Sequence, residues 1–350
     1  MRILLRWINL FLVLGLLVVY VAPFVPPQTF WPLVFPGLFF PWLLLANVLF
    51  LIYWLLRKQW KIALLPAGVL LLGFGHVRSL VGLPAPVKAS SDQLTVVTYN
   101  IHRMYPYYGD ADHATADQLA GQLMRYKPDL ICLQEMPSSG RSQRAIAQAF
   151  AKKLDLPHAS IKASKSLAIF SRYPLTDTGE EYFQNNATGF QWARVESPGG
   201  AYWIYNVHLL SNKITGLAEK VSGQGHLNEK ETWLDIRTML AGYKNTALRR
   251  VEQGRHISDH RINREGPLLL CGDFNDIPQS YTYRTVRGEL RDAFQRAGRG
   301  LGVTYAGRLP GLRIDYVLAS PEFRPQRCFR GPHDFSDHHP VIAHMELKTN

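Results

Sequence analysis

The first 88 residues contain no aspartate or glutamate. The same segment carries seven basic residues, so it supplies most of the formal net charge of +12. The rest of the chain has 32 basic and 27 acidic side chains, a net charge of +5. Such a mild excess does not by itself predict nucleic-acid binding, and the absence of a strong basic stripe counts against processive binding to DNA.

Cysteine is also scarce. Three cysteines, an odd number, argue against a disulfide framework. Cys132 and Cys271 lie in apolar runs typical of strands, where a free cysteine behaves as a small buried hydrophobe. Neither these two nor Cys328 has metal-site spacing, and the chain has no internal repeat. A length of 350 residues therefore predicts one large domain or two smaller ones with ordinary cores.

Long apolar runs occur where acidic residues are missing. Three of them, at about residues 3–22, 38–56 and 62–83, are long enough to cross a hydrocarbon core. The alternative is a cleaved signal peptide followed by buried core helices. Three such runs, with no small-residue cleavage pattern after the first, favour an anchor over residues 1–83. We therefore expect an N-terminal bundle of three transmembrane helices whose partner is the lipid bilayer.

The basic residues predict the orientation of this anchor. They flank the start of the first run and the loop between the second and third runs: Arg2, Arg6, Arg57, Lys58 and Lys61. The loop between the first two runs has no charged residue. By the positive-inside rule the N-terminus lies in the cytoplasm, and three crossings place everything after residue 83 outside. We expect an integral protein of a bacterial inner membrane with its larger domain on the periplasmic side.

Residues 84–92, rich in Pro, Ala and Ser, predict a linker, and residues 93–350 alternate strands with helices. Apolar, β-branched runs predict strands near residues 94–99, 129–133, 166–171, 192–196, 202–207, 268–271 and 313–318, with helices near 115–126, 145–154 and 280–287. Residues 211–266 predict a long, mostly polar helical stretch. It is longer than a compact domain needs.

The run Leu268–Cys271 predicts a buried strand that ends at Gly272, where the backbone can turn sharply. Asp273 and Asn275 follow at once. Because strand ends present catalytic groups, both side chains are candidates for a site. Taken alone, this sequence is equally typical of an Asp-rich turn.

Similar polar residues recur at other strand ends. Asn100, Glu135, His208 and Asp315 fall at or near the ends of apolar strands, and Asp337-His338 precedes a final strand. If the strands stack as a sandwich, these ends converge. Converging carboxylates repel unless a cation joins them, which predicts a hard divalent metal such as Mg²⁺, with Mn²⁺ as a possible substitute. The accompanying histidines and amides suit phosphoryl chemistry.

Seven short motifs occur in a characteristic order: Tyr-Asn-Ile-His (99–102), Leu-Gln-Glu (133–135), Ala-Ile-Phe-Ser-Arg-Tyr-Pro (168–174), Asn-Val-His-Leu (206–209), Gly-Asp-Phe-Asn-Asp (272–276), Arg-Ile-Asp-Tyr-Val (313–317) and Ser-Asp-His-His-Pro (336–340). Together they resemble the endonuclease/exonuclease/phosphatase superfamily, which includes abasic-site nucleases, inositol-polyphosphate phosphatases and neutral sphingomyelinases. The resemblance covers residues 93–347. It implies an α/β (α+β) fold, a DNase I-like four-layer α/β sandwich placed after the membrane anchor.

The resemblance also implies roles for the strand-end residues. Glu135 would be the main metal ligand, with Asn100 close by and Asp337 approaching the metal. The catalytic group would comprise His208, Asp273, Asn275, Asp315 and His338. In it, Asp273 would orient or deprotonate the attacking water, Asn275 would hold the phosphate, and His208 would stabilise transition-state charge. His338, kept in its tautomer by Asp315, would contact the scissile phosphate during in-line attack without a covalent intermediate.

The expected activity is that of a membrane-anchored, metal-dependent phosphodiesterase, but the substrate stays open. Nucleic acid or a nucleotide would suit Tyr105, Tyr107 and Tyr108 as stacking groups, with Arg141 and Arg144 as phosphate contacts. A phospholipid head group would suit a domain held at a membrane. The alternative is a catalytically inactive binding module on the same tether. The sequence indicates no obligate protein partner, and His102 and His339 are expected to be supporting or rim residues.

Overall fold

The computed structural model describes residues 2–83, 93–104, 113–163, 165–183, 187–212, 230–307 and 311–348. They form two compact units, the first built from Met1–Leu80, Leu210–Arg255 and Asp276–Val286 and the second from Val81–Leu209, His256–Asn275 and Arg287–Asn350. The expected linker 84–92 and the tyrosines at 105, 107 and 108 lie outside the described residues. The division at residues 83 and 93 that the sequence suggests stays a prediction.

The described helices are α1 Arg2–Val21, α2 Phe40–Leu56, α3 Trp60–Leu72, α4 Phe74–Leu80, α5 His113–Met124, α6 Gly140–Leu154, α7 Lys230–Ile262, α8 Tyr281–Arg287 and α9 Ala293–Ala297. The described strands are β1 Val81–Gly82, β2 Gln93–Asn100, β3 Leu130–Gln134, β4 His158–Ile161, β5 Ala168–Ser171, β6 Leu175–Tyr182, β7 Gly189–Ser197, β8 Gly200–His208, β9 Leu268–Asp273, β10 Arg291–Asp292, β11 Gly300–Leu301, β12 Asp315–Ala319, β13 Phe323–Arg330 and β14 Val341–Leu347.

The N-terminal helices of the first unit match the apolar runs. Two stretches, Ile3–Phe24 and Trp31–Leu56, are long and apolar enough to cross a membrane. The third expected span is instead the pair α3 and α4, bent by 66°, which qualifies only if both helices form one broken span. By length and composition, the described residues therefore offer two membrane-spanning helices, or three if the bent pair counts as one.

Close contacts pack these helices against one another. A Cβ at Gly73, where α3 ends, would lie 2.0 Å from the ring of Tyr20, so only glycine allows this approach. The Tyr20 hydroxyl donates to the carbonyl of Val69 at 3.2 Å. The Asn47 amide donates to the carbonyl of Leu12 at 3.2 Å, a polar bond that links α2 to α1 in apolar surroundings.

The second unit contains two six-stranded sheets, with strand orders β10-β12-β9-β8-β7-β6 and β13-β14-β2-β3-β5-β4. The central pair of each sheet is parallel, β8 with β9 and β2 with β3, and the other neighbours are antiparallel. The register pairs His208 with Asp273 in one sheet and Asn100 with Gln134 in the other. The carboxyl ends of four central strands therefore carry polar side chains.

The four-layer order follows from two cores and one outer helix. One core fills the space between the sheets, and Cys132, Cys271 and Cys328 are buried there as free thiols. A second core packs α5 and α6 against the other face of the β2–β3 sheet. The carboxyl-terminal end of α7 covers the β8–β7 sheet, where His260 packs on Trp192 at 4.4 Å. The expected DNase I-like α/β sandwich is confirmed.

Gly272 allows β8 and β9 to meet just before the carboxylate of Asp273. Its φ of 141° lies outside the range that side chains favour. A Cβ at this position would lie 1.9 Å from the backbone oxygen of Val207. Because that atom belongs to the paired strand, it cannot move aside as a flexible side chain would.

We expect Gly272→Ala to lower the free energy of unfolding by at least about 2 kcal/mol, since it combines a disfavoured φ with a backbone clash. Thermal unfolding of the purified full chain measures the effect. Gly199→Ala is the matched control, because a Cβ there has no atom within 4 Å, and its transition should stay unchanged. Equal transitions for the two variants would contradict this account of Gly272.

Candidate active site

The carboxylate of Asp273, at the end of β9, is the centre of the strand-end cluster. It is fully buried. Its Oδ1 accepts the backbone N–H of Asn275 at 2.7 Å, and its Oδ2 accepts the amides of Asn100 and Asn275 at 2.9 and 3.1 Å. The Nε2 atoms of His208 and His338 lie 3.8 and 3.9 Å from the same Oδ2. Residues from both sheets therefore converge on one oxygen atom.

Burial sets the protonation of Asp273. Loss of water raises the pKa of its carboxyl, the nearby Asp315 raises it further, and the histidines and Asn100 only partly oppose this, which leaves a pKa of about 6. A carboxylate with a pKa just below neutrality is ionised at pH 7 and can still accept a proton from water.

His338 lies between two carboxylates. Its Nδ1 lies 3.0 Å from the nearer oxygen of Asp315, and both side chains are buried. Burial disfavours the imidazolium, but the charges of Asp315 and Asp273 outweigh it and raise the pKa of His338 to about 10. Asp315 thus keeps a proton on Nδ1, and the Nε2 edge is directed toward Asp273.

His208 has a defined tautomer for a different reason. Its Nδ1 lies 2.8 Å from the carbonyl oxygen of Ala187, and a carbonyl can only accept, so Nδ1 carries a hydrogen. Nε2 then lies 3.7 Å from Glu135 Oε1 and 3.8 Å from Asp273 Oδ2. The ring edge that faces the carboxylates is available for the chemistry of the site.

Glu135 follows β3, and its side chain lies on a side of the cluster that is partly open to solvent. Its side chain is 26% exposed, whereas that of Asp273 is 1% exposed, and its Oε1 accepts the Asn100 amide at 3.1 Å. Glu135 and Asn275 have φ values of 53° and 50°, left-handed conformations that non-glycine residues rarely adopt. Strained backbone of this kind concentrates at functional sites, where the surrounding contacts hold it.

Asp337 joins the cluster through His102. The His102 Nδ1 lies 2.9 Å from Asp337 Oδ1. This hydrogen bond raises the pKa of His102. Burial alone would raise the pKa of the Asp337 carboxyl, but the same hydrogen bond and the nearby His338 outweigh burial and lower it. His102 therefore orients Asp337, in keeping with its expected supporting role, whereas the Nδ1 of His339 contacts the Gly331 carbonyl at 2.7 Å.

A buried polar network beneath the site joins the two sheets. The Gln134 amide donates to Asn206 Oδ1 at 2.6 Å and to Thr98 at 3.0 Å. The Asn206 amide donates to the carbonyls of Leu133 and Ala168 at 2.8 and 3.0 Å. Gln134 and Asn206 belong to two of the sequence motifs, but the motifs alone assign them no role. An amide inside an otherwise apolar strand was the available signal.

The structure brings seven of the eight expected site residues into one continuous set of contacts: Asn100, Glu135, His208, Asp273, Asn275, Asp315 and His338. Asp337 lies beside this set, bonded to His102. These placements are geometric, and the individual roles stay predictions. Arg141 and Arg144 are exposed on α6.

The donor set fits a hard divalent cation. Within the described part of the chain, Asp273, Asp315 and His338 can each offer a ligand atom within 4.8 Å of the others. The expected ligands Asn100, Glu135 and Asp337 are different residues. The Asn100 oxygen accepts the His102 N–H at 2.9 Å, so its amide nitrogen, rather than its oxygen, faces the carboxylates. Oxygen-rich clusters of this kind suit Mg²⁺ and Mn²⁺.

The comparisons with known proteins agree with this geometry. The family model described as Endonuclease/Exonuclease/phosphatase family matches residues 97–338. The chain therefore belongs to the endonuclease/exonuclease/phosphatase family, a class of phosphoesterases that generally depend on a divalent metal. A second model, described only as a domain of unknown function, matches residues 2–80. A search of curated proteins found no match.

Solved structures share the fold at low sequence identity. An endonuclease/exonuclease/phosphatase from Beutenbergia cavernae DSM 12333 has 20% identity and a TM-score of 0.53, covering 73% of this chain and 72% of that one. D. rerio TDP2 complexed with single strand DNA product has 14% identity and a TM-score of 0.52, covering 74% and 100%. At these identities the likeness concerns the fold alone.

Proposed function

We propose that this protein is a membrane-anchored, Mg²⁺-dependent phosphodiesterase that hydrolyses phosphoester bonds by in-line attack of water. The observation that carries the proposal is the Asp273 carboxylate, which is buried, bonded to Asn100 and Asn275, and faced by His208 and His338. A structural core gains nothing from burying a charge among two histidines and a second carboxylate.

Glu135 would hold the metal and Asp337 would approach it, while Asn100 lies close by with its amide nitrogen on the Glu135 carboxylate. Glu135 is suited to this role because its carboxylate is partly open to solvent while Asn100 and His208 fix its position. When bound, a divalent cation supplies charge stabilisation to a phosphoryl oxygen. Manganese is a candidate substitute, since it accepts the same oxygen ligands.

Asp273 would position the attacking water and take up its proton. A pKa of about 6 leaves this carboxylate ionised at neutral pH and basic enough to accept a proton. Asn275 supports that position, because its backbone and side-chain N–H groups both bond to Asp273 while its amide also donates to the Leu209 carbonyl at 2.9 Å. Asn275 would also hold the phosphate, which requires one of these two amide hydrogen bonds to be exchanged for a bond to a phosphate oxygen.

Two histidines would stabilise charge on the phosphoryl group. His338 is cationic at neutral pH because Asp315 and Asp273 outweigh the penalty of burial. Its Nε2–H is therefore a donor to a phosphate oxygen. His208 presents Nε2 to the same region, since Nδ1 is bonded to the Ala187 carbonyl, and it would donate from Nε2 in its imidazolium form. Preorganised donors aimed at developing negative charge are an effective source of catalysis.

Two substrate classes fit this site. The fold neighbour solved with a single strand DNA product supports a nucleic-acid or nucleotide phosphodiester. The apolar N-terminal helices support a phospholipid head group, since they would hold the site at a bilayer surface. An inactive binding module fits less well, because the expected catalytic side chains all occur in or beside one cluster.

We further propose that the helices cross a bacterial inner membrane three times and place the catalytic residues on the periplasmic side. The basic residues at the start of α1 and around the turn from α2 to α3 support a cytoplasmic location for both positions. This topology requires the bent pair of α3 and α4 to cross as one span.

The activity is tested with the full chain in detergent micelles on single-stranded DNA, RNA, vesicles of sphingomyelin or phosphatidylinositol, and a soluble sugar phosphate. We expect Mg²⁺-dependent hydrolysis of at least one substrate, and a loss of about a thousandfold or more in Asp273→Asn and His338→Ala. Nucleic acid and vesicles distinguish the two substrate classes. Inactivity on every substrate would favour the binding module.

The metal role of Glu135 has its own test. Because Glu135→Gln removes a ligand charge while preserving shape, we expect the Mg²⁺ concentration for half-maximal activity to rise about tenfold or more. Glu196→Gln is the matched control, since Glu196 pairs with Arg194 on β7 and should leave the metal titration unchanged. An unaltered titration in Glu135→Gln would refute the assignment.

The topology predicts the behaviour of reporter fusions in intact cells. An alkaline phosphatase reporter joined after Leu83 should be active, because that enzyme works only outside the cytoplasm. The same reporter joined after Lys58 should be inactive. Inactivity of both fusions would mean that the bent pair does not cross, and activity confined to the second fusion would mean that the whole anchor has the opposite orientation.

A further inference from the structure

Two segments of the first unit start directly after candidate site residues. Leu210 lies two residues beyond His208, and Asp276 follows Asn275. Because consecutive Cα atoms are only about 3.8 Å apart, the placement of Leu210 and Asp276 restricts where the preceding site residues can lie. Both segments belong to the same compact unit as the N-terminal helices.

Arg250 joins these two segments. It lies on α7 with no exposed surface. Its Nε lies 3.4 Å from Asp276 Oδ2, and its Nη1 donates to the Leu210 carbonyl at 3.3 Å. Leu210 is held a second time, since its N–H donates to Gln253 Oε1 at 3.0 Å. A buried guanidinium needs such partners, and its planar fork fixes the angle between them.

Aromatic contacts connect Arg250 to the loop between α1 and α2. The guanidinium lies 5.7 Å from the ring centroid of Tyr243, which is buried. Tyr243 packs on Phe35 with ring centroids 5.0 Å apart. Lys244, the next residue on α7, lies 5.3 Å from the ring centroid of Trp31. The charge-free loop of the anchor therefore packs directly on α7.

The segment that follows Asn275 has equally close contacts with the anchor. A Cβ at Gly37 would lie 2.6 Å from Ile277 Cδ1, so the backbone of the anchor loop approaches this side chain closely. The Gln279 amide donates to the Ser79 hydroxyl at 3.1 Å, and both side chains are buried. A flexible tether requires neither contact.

We propose that the N-terminal helices are a structural part of the enzyme and that Arg250 is the positioning residue that links them to the segments following His208 and Asn275. Arg250 touches neither substrate nor metal in this role. It holds Leu210 and Asp276, and through the peptide chain these two residues set the positions of His208 and Asn275. The assembly half of this inference, that the N-terminal helices pack on the rest of the chain, is independent of the proposed function. The kinetic half, that Arg250 positions catalytic groups, rests on it.

The assembly half is tested by cutting the full chain. A protease site placed within residues 84–92, with an affinity tag at the N-terminus, allows the linker to be cut in detergent solution. We expect the two fragments to elute together in size-exclusion chromatography, because the anchor is held by packing as well as by the linker. Separation of the fragments after cutting would overturn the proposal.

Two glycine variants control for non-specific association of apolar fragments. Gly37→Trp places a large side chain against Ile277 and should release the fragments after cutting. Gly68→Trp adds the same side chain on α3, where a Cβ has no atom within 4 Å, and should leave them together. Equal retention in both variants would also overturn the proposal.

The kinetic half is tested with Arg250→Met, Arg250→Lys and the exposed neighbour Arg249→Met. We expect Arg250→Met to lower kcat at least about tenfold with KM nearly unchanged, because misplacing catalytic groups affects the chemical step. Arg250→Lys should recover part of this loss, and Arg249→Met should match the parent chain. All rates are normalised to the folded fraction eluting at the parent volume.

A loss in Arg250→Met that disappears on this normalisation, or one confined to KM, would contradict a positioning role. Failure of the proposed function looks different: no substrate would be hydrolysed by the parent chain, while the cutting experiment would still report whether anchor and enzyme form one assembly.

Discussion

The candidate site depends on keeping one carboxylate charged where there is almost no water. Asp273 is fully buried, and burial alone raises the pKa of its carboxyl. The N–H groups of Asn100 and Asn275 and two nearby histidines lower the cost of the negative charge. Left-handed backbone at Glu135 and Asn275 costs further free energy, which the same contacts offset. The arrangement is stable only when all of these residues are in place together.

The need to bring all of these residues together explains the pairing of the central strands and the contacts between the two sheets. Parallel pairing of β8 with β9 and of β2 with β3 brings four strand ends to the site, and Gly272 lets the first pair approach at its last residues. The amides of Gln134 and Asn206 then fix one sheet against the other directly beneath the site. These hydrogen bonds form together in only one alignment of the two sheets, so the network helps to specify that alignment.

The sequence predicts the central strands and their polar ends well, because apolar periodicity and short motifs are local signals. It does not reveal β6, whose Leu175–Tyr182 segment is largely polar, or the partner of His102. Hydropathy predicts a third span but not its 66° break, which lies at Gly73, where α3 closely approaches Tyr20 of another helix. The bonds of Gln134 and Asn206 likewise join residues 72 positions apart, a distance over which local patterns carry no information.

The grouping of residues 276–286 with the N-terminal helices also depends on contacts between distant parts of the chain, and these contacts bear on the candidate site. Arg250 and Asp276 can be buried as charged groups because each meets the opposite charge of the other, from a different segment of the chain. Tyr243 beneath Arg250 is covered in turn by Phe35 of the anchor loop. If Phe35 and its neighbours were removed, Tyr243 and the ion pair would become more accessible to water, which would weaken the restraint on Asp276 and so on Asn275. Under the proposal, the N-terminal helices then contribute to the geometry of the candidate site in addition to serving as an anchor.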